Sequence, residues 1–276
     1  MSSFLAEMAA ASDRRVRAAK ACVSEAALAE RVQHTPAAPP LRLSAEGFDL
    51  IAELKLRSPA AGALGSPQHA LAERVTAYAR SGAAAVSVLT EPSRFDGSLL
   101  HLAEAAPPLA ALRVPAMRKD FLIDPYQVLE ARVAGAGGVL LIVRMLSAAA
   151  LSGLIGCARE HGLFVLLEAF DEADLERMHE AIEVDAGRST LLAGVNCRDL
   201  TTLELIPERL LELLPLMPRG VPRVAESGVA GSADAARLAR AGYGLILVGS
   251  VLMRADDPAR LARLLLESGR AAREAS

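Results

Sequence analysis

From Asp49 onward one pattern recurs eight times: a short apolar run, a polar or Gly/Pro turn, then a stretch with helical periodicity. The apolar runs are Leu50–Leu54, Ala84–Leu89, Val114–Met117, Gly138–Val143, Leu163–Leu167, Leu192–Val195, Pro222–Ala225 and Leu245–Val248. Between them lie amphipathic stretches at Pro67–Arg80, Pro125–Ala134, Ser147–Glu160, Glu172–Ile182, Leu203–Leu214, Ser232–Arg240 and Pro258–Glu267. Pro or Ser opens several of them, as at helix N-termini. Gly82, Gly135, Gly162 and Gly242 follow the last turns, where C-caps favour glycine. Leu99 to Ala105, after Gly97, carries the faintest helical pattern. Uninterrupted apolar strands alternating with helices are parallel strands joined by helical crossovers and covered on both faces. Eight such units in about 220 residues predict an α/β fold of the closed (β/α)8 TIM-barrel type. An open doubly wound sheet usually shows a glycine-rich phosphate turn after its first strand. Here that strand runs instead into Lys55-Leu56-Arg57-Ser58-Pro59.

Residues 1–46 precede the first strand. They contain helical stretches at Phe4–Cys22 and Ser24–Val32, then a proline-rich linker through Pro36, Pro39 and Pro40. The expected organisation is one barrel domain over residues 1–276 with an N-terminal helical extension. A formal net charge of −3 and the absence of a long basic run leave no electrostatic footprint for nucleic acid. No uncharged apolar run approaches the roughly 18 residues of a membrane span, and no signal-peptide core opens the chain. Three scattered cysteines, Cys22, Cys157 and Cys197, fit a reducing compartment better than a disulfide framework. The five histidines show no metal-ligand spacing. The expectation is a soluble, cytoplasmic protein with no nucleic-acid, membrane or metal partner.

Side chains alternate faces along a strand, so in a barrel one set points inward and the other meets the helices. In Ile51-Ala52-Glu53-Leu54-Lys55, Glu53 and Lys55 share one face and Ala52 and Leu54 the other. If Leu54 packs against helices, a carboxylate and an ammonium project into the barrel mouth. By the same count Lys119 lies with Met117, Glu168 with Leu166, and Glu226 with Val224; Asn196 follows Val195, with Arg198 two positions on. A single charge at a strand end usually marks a solvated boundary. Five of eight strands ending in a charged or amide residue, at the face where barrel active sites lie, point to a reaction centre. Such groups offset each other's burial and shift each other's pKa values toward acid–base work. The last two strands end in Glu226-Ser227-Gly228 and Val248-Gly249-Ser250. Barrel enzymes frequently bind phosphate at these two loops, where glycine lets backbone N–H groups approach the oxygens. The combination predicts a phosphorylated small-molecule substrate.

Several longer motifs then line up in order. They are Ile51-Ala52-Glu53-Leu54-Lys55 with Ser58-Pro59 and Gly62, Ser87-Val88-Leu89-Thr90-Glu91 with Phe95-Asp96-Gly97-Ser98, and Arg118-Lys119-Asp120-Phe121 through Gln127. Leu167-Glu168, Gly194-Val195-Asn196-Cys197-Arg198-Asp199-Leu200, Glu226-Ser227-Gly228-Val229 and Val248-Gly249-Ser250 through Arg254 complete the series. Over residues 50 to 265 the chain resembles the indole-3-glycerol phosphate synthase family. It departs from the family at Leu56, where another basic residue is frequent, and at Ala60-Ala61, where Ser-Lys is usual.

The resemblance implies a sugar-phosphate substrate, 1-(2-carboxyphenylamino)-1-deoxyribulose 5-phosphate, and indole-3-glycerol phosphate, carbon dioxide and water as products. It implies no cofactor and no metal, and it makes other enzymes of tryptophan biosynthesis candidate partners. In the roles it implies, Lys119 is the general acid of ring closure, and Glu168 and Lys55 carry proton transfers in dehydration. The two lysines can exchange roles. Glu53 stabilises cationic intermediates and holds a lysine, Asn196 and Arg198 orient substrate, and Glu226 supports them. Ser58, Ser227, Gly228, Gly249 and Ser250 hold phosphate near Lys55. Phe95 and Phe121 either line a slot for the aryl ring or pack the core. Two competing readings are another phosphate-binding barrel enzyme and a non-catalytic barrel scaffold. The isomerase acting one step earlier would carry a catalytic cysteine at the first strand; Glu53 and Lys55 stand there instead.

Overall fold

A computed structural model describes residues 3–58, 62–64, 71–200 and 202–275. Eight parallel strands close into a barrel: β1 (Asp49–Leu54), β2 (Ala85–Leu89), β3 (Ala116–Lys119), β4 (Gly138–Ile142), β5 (Phe164–Ala169), β6 (Leu191–Asn196), β7 (Arg223–Glu226) and β8 (Leu245–Val248). Each pairs with its neighbour in chain order, and β8 returns to β1 through Asp49↔Leu245 to Ala52↔Val248. All eight apolar runs are strands, with ends that differ by at most two residues.

Two helices precede the barrel, α1 (Ser3–Cys22) and α2 (Glu25–His34); the longer helices that follow are α3 (Leu71–Arg80), α4 (Leu99–Ala111), α5 (Pro125–Val133), α6 (Ala148–Glu160), α7 (Glu172–Asp185), α8 (Ser232–Ala241) and α9 (Pro258–Glu274). Their starts obey local chemistry. Ser24, Ser147, Asp171 and Asp257 accept from first-turn N–H groups. Asp124 and Gln127 form a reciprocal capping box around Pro125. Among the described residues no helix is long and apolar enough to cross a membrane.

The alternation sorts side chains into two cores. Leu50, Ala52, Leu54, Val86, Val88, Leu141, Val165, Leu167, Ala193 and Val195 face the helices. Ile51, Ala85, Met117, Leu140, Phe164, Leu166, Leu192, Val224, Leu245 and Leu247 fill the barrel. Leu54 therefore packs outward, as the placement of Glu53 and Lys55 requires. Leu5 and Met8 of α1 join the inner cluster, so this helix packs onto the barrel rather than trailing from it. Ser12 Oγ donates to the Phe121 carbonyl at 2.6 Å, and Tyr126 Oη donates to the Val23 carbonyl at 2.9 Å.

One expectation needs correction. The pattern at Leu203–Leu214 does not form a helix of that length. Leu203 adopts a left-handed conformation (φ 64°), Arg198 bridges Leu205, and only Arg209–Glu212 is α-helical before a 3-10 turn at Leu214–Leu216. Pro207 and Pro215 cannot donate to a helical ladder, so tertiary contacts decide the path. The faint pattern after Gly97 is a helix, as expected, N-capped by Ser98 and running past Ala105 through Pro107 and Pro108 to 13 residues. The expected start of the Pro67–Arg80 helix, and Ala60-Ala61, lie outside the described residues.

The barrel floor tests how tightly this packing is set. A Cβ on Gly269 of α9 would stand 2.1 Å from the fully buried Phe48 ring. Gly269→Ala gains about 1 kcal/mol of helix propensity, but overpacking of this kind costs about 1–3 kcal/mol. Net destabilisation in urea unfolding, with turnover per folded molecule unchanged, is the expected outcome; a more stable variant would show that α9 can slide off the ring.

Candidate active site at the C-terminal mouth of the barrel

Strand register places the polar strand ends side by side. Glu168 on β5 lies opposite Gly194, and Asn196 on β6 opposite Glu226 on β7. Lys119 Nζ reaches across the mouth to Glu226 Oε2 at 3.1 Å and Glu168 Oε1 at 3.8 Å. Asn196 Nδ2 donates to Glu168 Oε1 at 2.5 Å, and Asn196 Oδ1 accepts the Arg198 backbone N–H at 2.9 Å. Lys55 Nζ pairs with Glu53 Oε1 at 2.7 Å. The three glutamates are buried, whereas both lysines keep a partly exposed side chain facing the opening.

Burial and charge compete at each group. Desolvation favours a neutral Lys119, but Glu168, Glu226 and Glu53 outweigh it and raise its pKa, so the ammonium persists. Burial pushes Glu53 up, yet Lys55, Lys119 and Arg198 hold it below the ordinary carboxylate range. Glu226 goes the other way: burial, aided by Glu168 and Glu53, overcomes Lys119 and lifts it to about 8. Its Oε1 is buried, with no hydrogen-bond partner among the described residues.

These groups open into a cavity of about 410 Å³. All fourteen site residues expected from the sequence line it: Glu53, Lys55, Ser58, Phe95, Lys119, Phe121, Glu168, Asn196, Arg198, Glu226, Ser227, Gly228, Gly249 and Ser250. One end is polar. Ser227 and Gly228 have consecutive positive φ values of 67° and 73°, and Gly249 precedes the short helix Ser250–Arg254. Glycine at 228 and 249 keeps side chains clear of these two turns, so that a ligand can approach their backbone N–H groups. The other end is apolar. The Phe121 ring meets Phe4 edge-on at 5.9 Å and Phe95 at 6.3 Å. Phe170 adds a fourth ring, backed by the Arg144 guanidinium at 4.8 Å.

Sequence reasoning missed Phe4, Phe170, Leu200, Leu203, Leu205 and Arg254 in this lining. Phe170 was available, since it shares the inward face with Glu168 two residues before it. Phe4 was not, because nothing local shows that α1 reaches the mouth. The flanks of Lys119 explain how it does. Arg118 points away from the cavity and binds Asp120, Glu130, Thr90 and the Gln127 carbonyl. Arg15 of α1 then pairs with Asp120 at 2.6 Å and Glu91 at 3.3 Å. The segment bearing Lys119 and the helix bearing Phe4 are thus clamped together.

Residues 5–265 match the protein family described as indole-3-glycerol phosphate synthase. An indole-3-glycerol phosphate synthase from a Parafrankia species is 43% identical over 250 residues, covering 89% of this chain and 88% of the relative. Indole-3-glycerol phosphate synthase 2 of Streptomyces coelicolor is 40% identical over 263 residues, covering 94% and 96%. Among solved structures, thiamine phosphate pyrophosphorylase from Pyrococcus furiosus superposes with a TM-score of 0.59 at 16% identity, over 82% of this chain and 98% of that one, a likeness of fold alone.

The raised pKa of Glu226 has a measurable sign. A carboxyl that holds its proton more tightly in the folded chain contributes stability fully below its unfolded pKa, and the contribution is lost as pH rises through the folded value of about 8. Glu226→Gln is neutral throughout and escapes that loss. The unfolding temperature of the variant minus that of the parent should therefore grow between about pH 5 and about pH 8. A flat or shrinking difference would show Glu226 ionised over the whole range.

Proposed function

The chain belongs to the indole-3-glycerol phosphate synthase family, the decarboxylating lyases that close the indole ring in tryptophan biosynthesis, and we propose that the side chains at its barrel mouth divide the reaction as follows. The substrate is 1-(2-carboxyphenylamino)-1-deoxyribulose 5-phosphate. Its aryl carbon bearing the carboxylate attacks the ketone carbon, with the nitrogen lone pair supplying electrons. The ketone oxygen becomes an alkoxide and takes a proton from the Lys119 ammonium, which its carboxylate neighbours keep charged. Carbon dioxide then leaves, and its bonding electrons return to the ring. The new hydroxyl departs as water with a proton from Lys55, while a carboxylate removes the proton from the neighbouring carbon. Glu168 suits that last step because the Asn196 amide fixes its position, 3.8 Å from Lys119.

The observation that carries this reading is one ammonium shared by two buried glutamate side chains, beside a second ammonium–carboxylate pair, in a single cavity. The phosphate belongs at Ser227-Gly228 and Gly249-Ser250, with Ser58 and Lys55 close by. The aryl ring belongs among the phenylalanines. The chain has six phenylalanines and no tryptophan, and four of the six line this cavity, which favours an aryl slot over ordinary packing. Arg198, whose guanidinium Nη1 binds the Leu203 carbonyl at 2.7 Å, stands where it can orient an anionic group of the substrate. Glu53 holds Lys55, and Glu226 holds Lys119. The reading includes a cytoplasmic enzyme of one domain, supported by three free thiols at Cys22, Cys157 and Cys197.

Incubation with the carboxyphenylamino sugar phosphate should release carbon dioxide and generate indole fluorescence. Lys119→Ala should lower kcat on the order of 100-fold or more, while inorganic phosphate still competes with substrate. Near-normal turnover in that variant would remove Lys119 from the chemistry.

A further inference from the structure

We propose that Gly194 is a positioning residue for the reaction: the side chain it lacks is the space that seats the Glu226 carboxylate against Lys119. Gly194 lies on the inward face of β6, between Leu192 and Asn196, with Glu168 of β5 on one side and Val224 of β7 on the other. A Cβ there would stand 2.3 Å from Glu226 Oε1, a separation that real structures do not show. The same atom would stand 3.0 Å from Leu166 Cδ1 and 3.2 Å from the Leu167 carbonyl oxygen. The carbonyl belongs to the β5 ladder and the leucine to the packed barrel interior, so neither gives way easily. The carboxylate must move instead, and the open direction is toward the cavity it lines. Its other oxygen is the one 3.1 Å from Lys119 Nζ, so that pair moves with it.

Glycine inside a buried strand weakens the strand and often marks a close approach. Here the approaching group is a functional carboxylate rather than backbone or ligand. Gly194 lies behind the residues that line the cavity; it acts through Glu226 and Lys119, which do line it, and the inference rests on the reading of Lys119 given above.

A double-mutant cycle tests it. Gly194→Ala should lower kcat by about tenfold or more, as displacement of a catalytic group by about an ångström does, with KM changed less. Glu226→Asp withdraws the carboxylate by one methylene and clears the space. In that background Gly194→Ala should add little further loss, so the double variant should lose far less than the product of the two single losses. Unfolding temperatures give the same cycle without turnover: Gly194→Ala should cost the parent chain a few degrees, and the Glu226→Asp chain little. Multiplicative losses in kcat and additive losses in unfolding temperature would overturn the inference. So would a kcat per folded molecule unchanged by Gly194→Ala, the result expected of a glycine needed only for packing. The two readings fail separately: normal turnover in Lys119→Ala removes the proposed chemistry, whereas loss there with normal kcat in Gly194→Ala removes only the role of the glycine.

Discussion

Every strand of a closed parallel barrel faces two apolar environments, the interior and the ring of helices, and successive side chains alternate between them. A charged side chain survives on the inward face only where the barrel opens and other charges meet it. Ile51, Met117, Leu166 and Val224 fill the interior, and Glu53, Lys119, Glu168 and Glu226 stand two residues further along the same faces. The site therefore arises from where each strand stops being apolar, and its precision from the register of Glu168 with Gly194 and Asn196 with Glu226.

Gathering three carboxylates around two ammonium groups in a poorly solvated mouth brings opposed energetics into one small volume. Each pair recovers part of the desolvation cost of its members, but only at good geometry. The arrangement meets that demand unevenly. Glu53 is stabilised as a carboxylate, whereas Glu226 has one oxygen with no partner among the described residues and favours its proton. Such divergence between chemically identical groups is how one site supplies both acids and bases near neutral pH. Close approach matters as much as charge: Gly249 leaves room for Glu53 and Gly194 for Glu226.

The N-terminal extension is part of the same structure. Arg118 and Asp120 flank Lys119; Arg118 turns away from the cavity, Asp120 stands at its edge, and with Arg15 they anchor α1. One strand end thus serves two tasks, an inward ammonium for the site and an outward ion-pair network for the helix that carries Phe4. A residue motif that reads as a single catalytic signature separates, in three dimensions, into chemistry and support.

The sequence by itself determined the strand count, the closed barrel, the inward placement of the charged strand ends and the two glycine-bearing loops, because each follows from local periodicity and chain order. It did not determine the course of 203–214, where an apolar helical pattern gives way to a bridge at Arg198 and a left-handed Leu203. Nor did it reveal that α1 reaches the mouth, that Gly194 makes room for a carboxylate, or which carboxylates Lys119 meets. Those are contacts between residues tens to hundreds of positions apart. Only the closed tertiary structure decides them, because distance, burial and mutual charge exist only once the strands have come together.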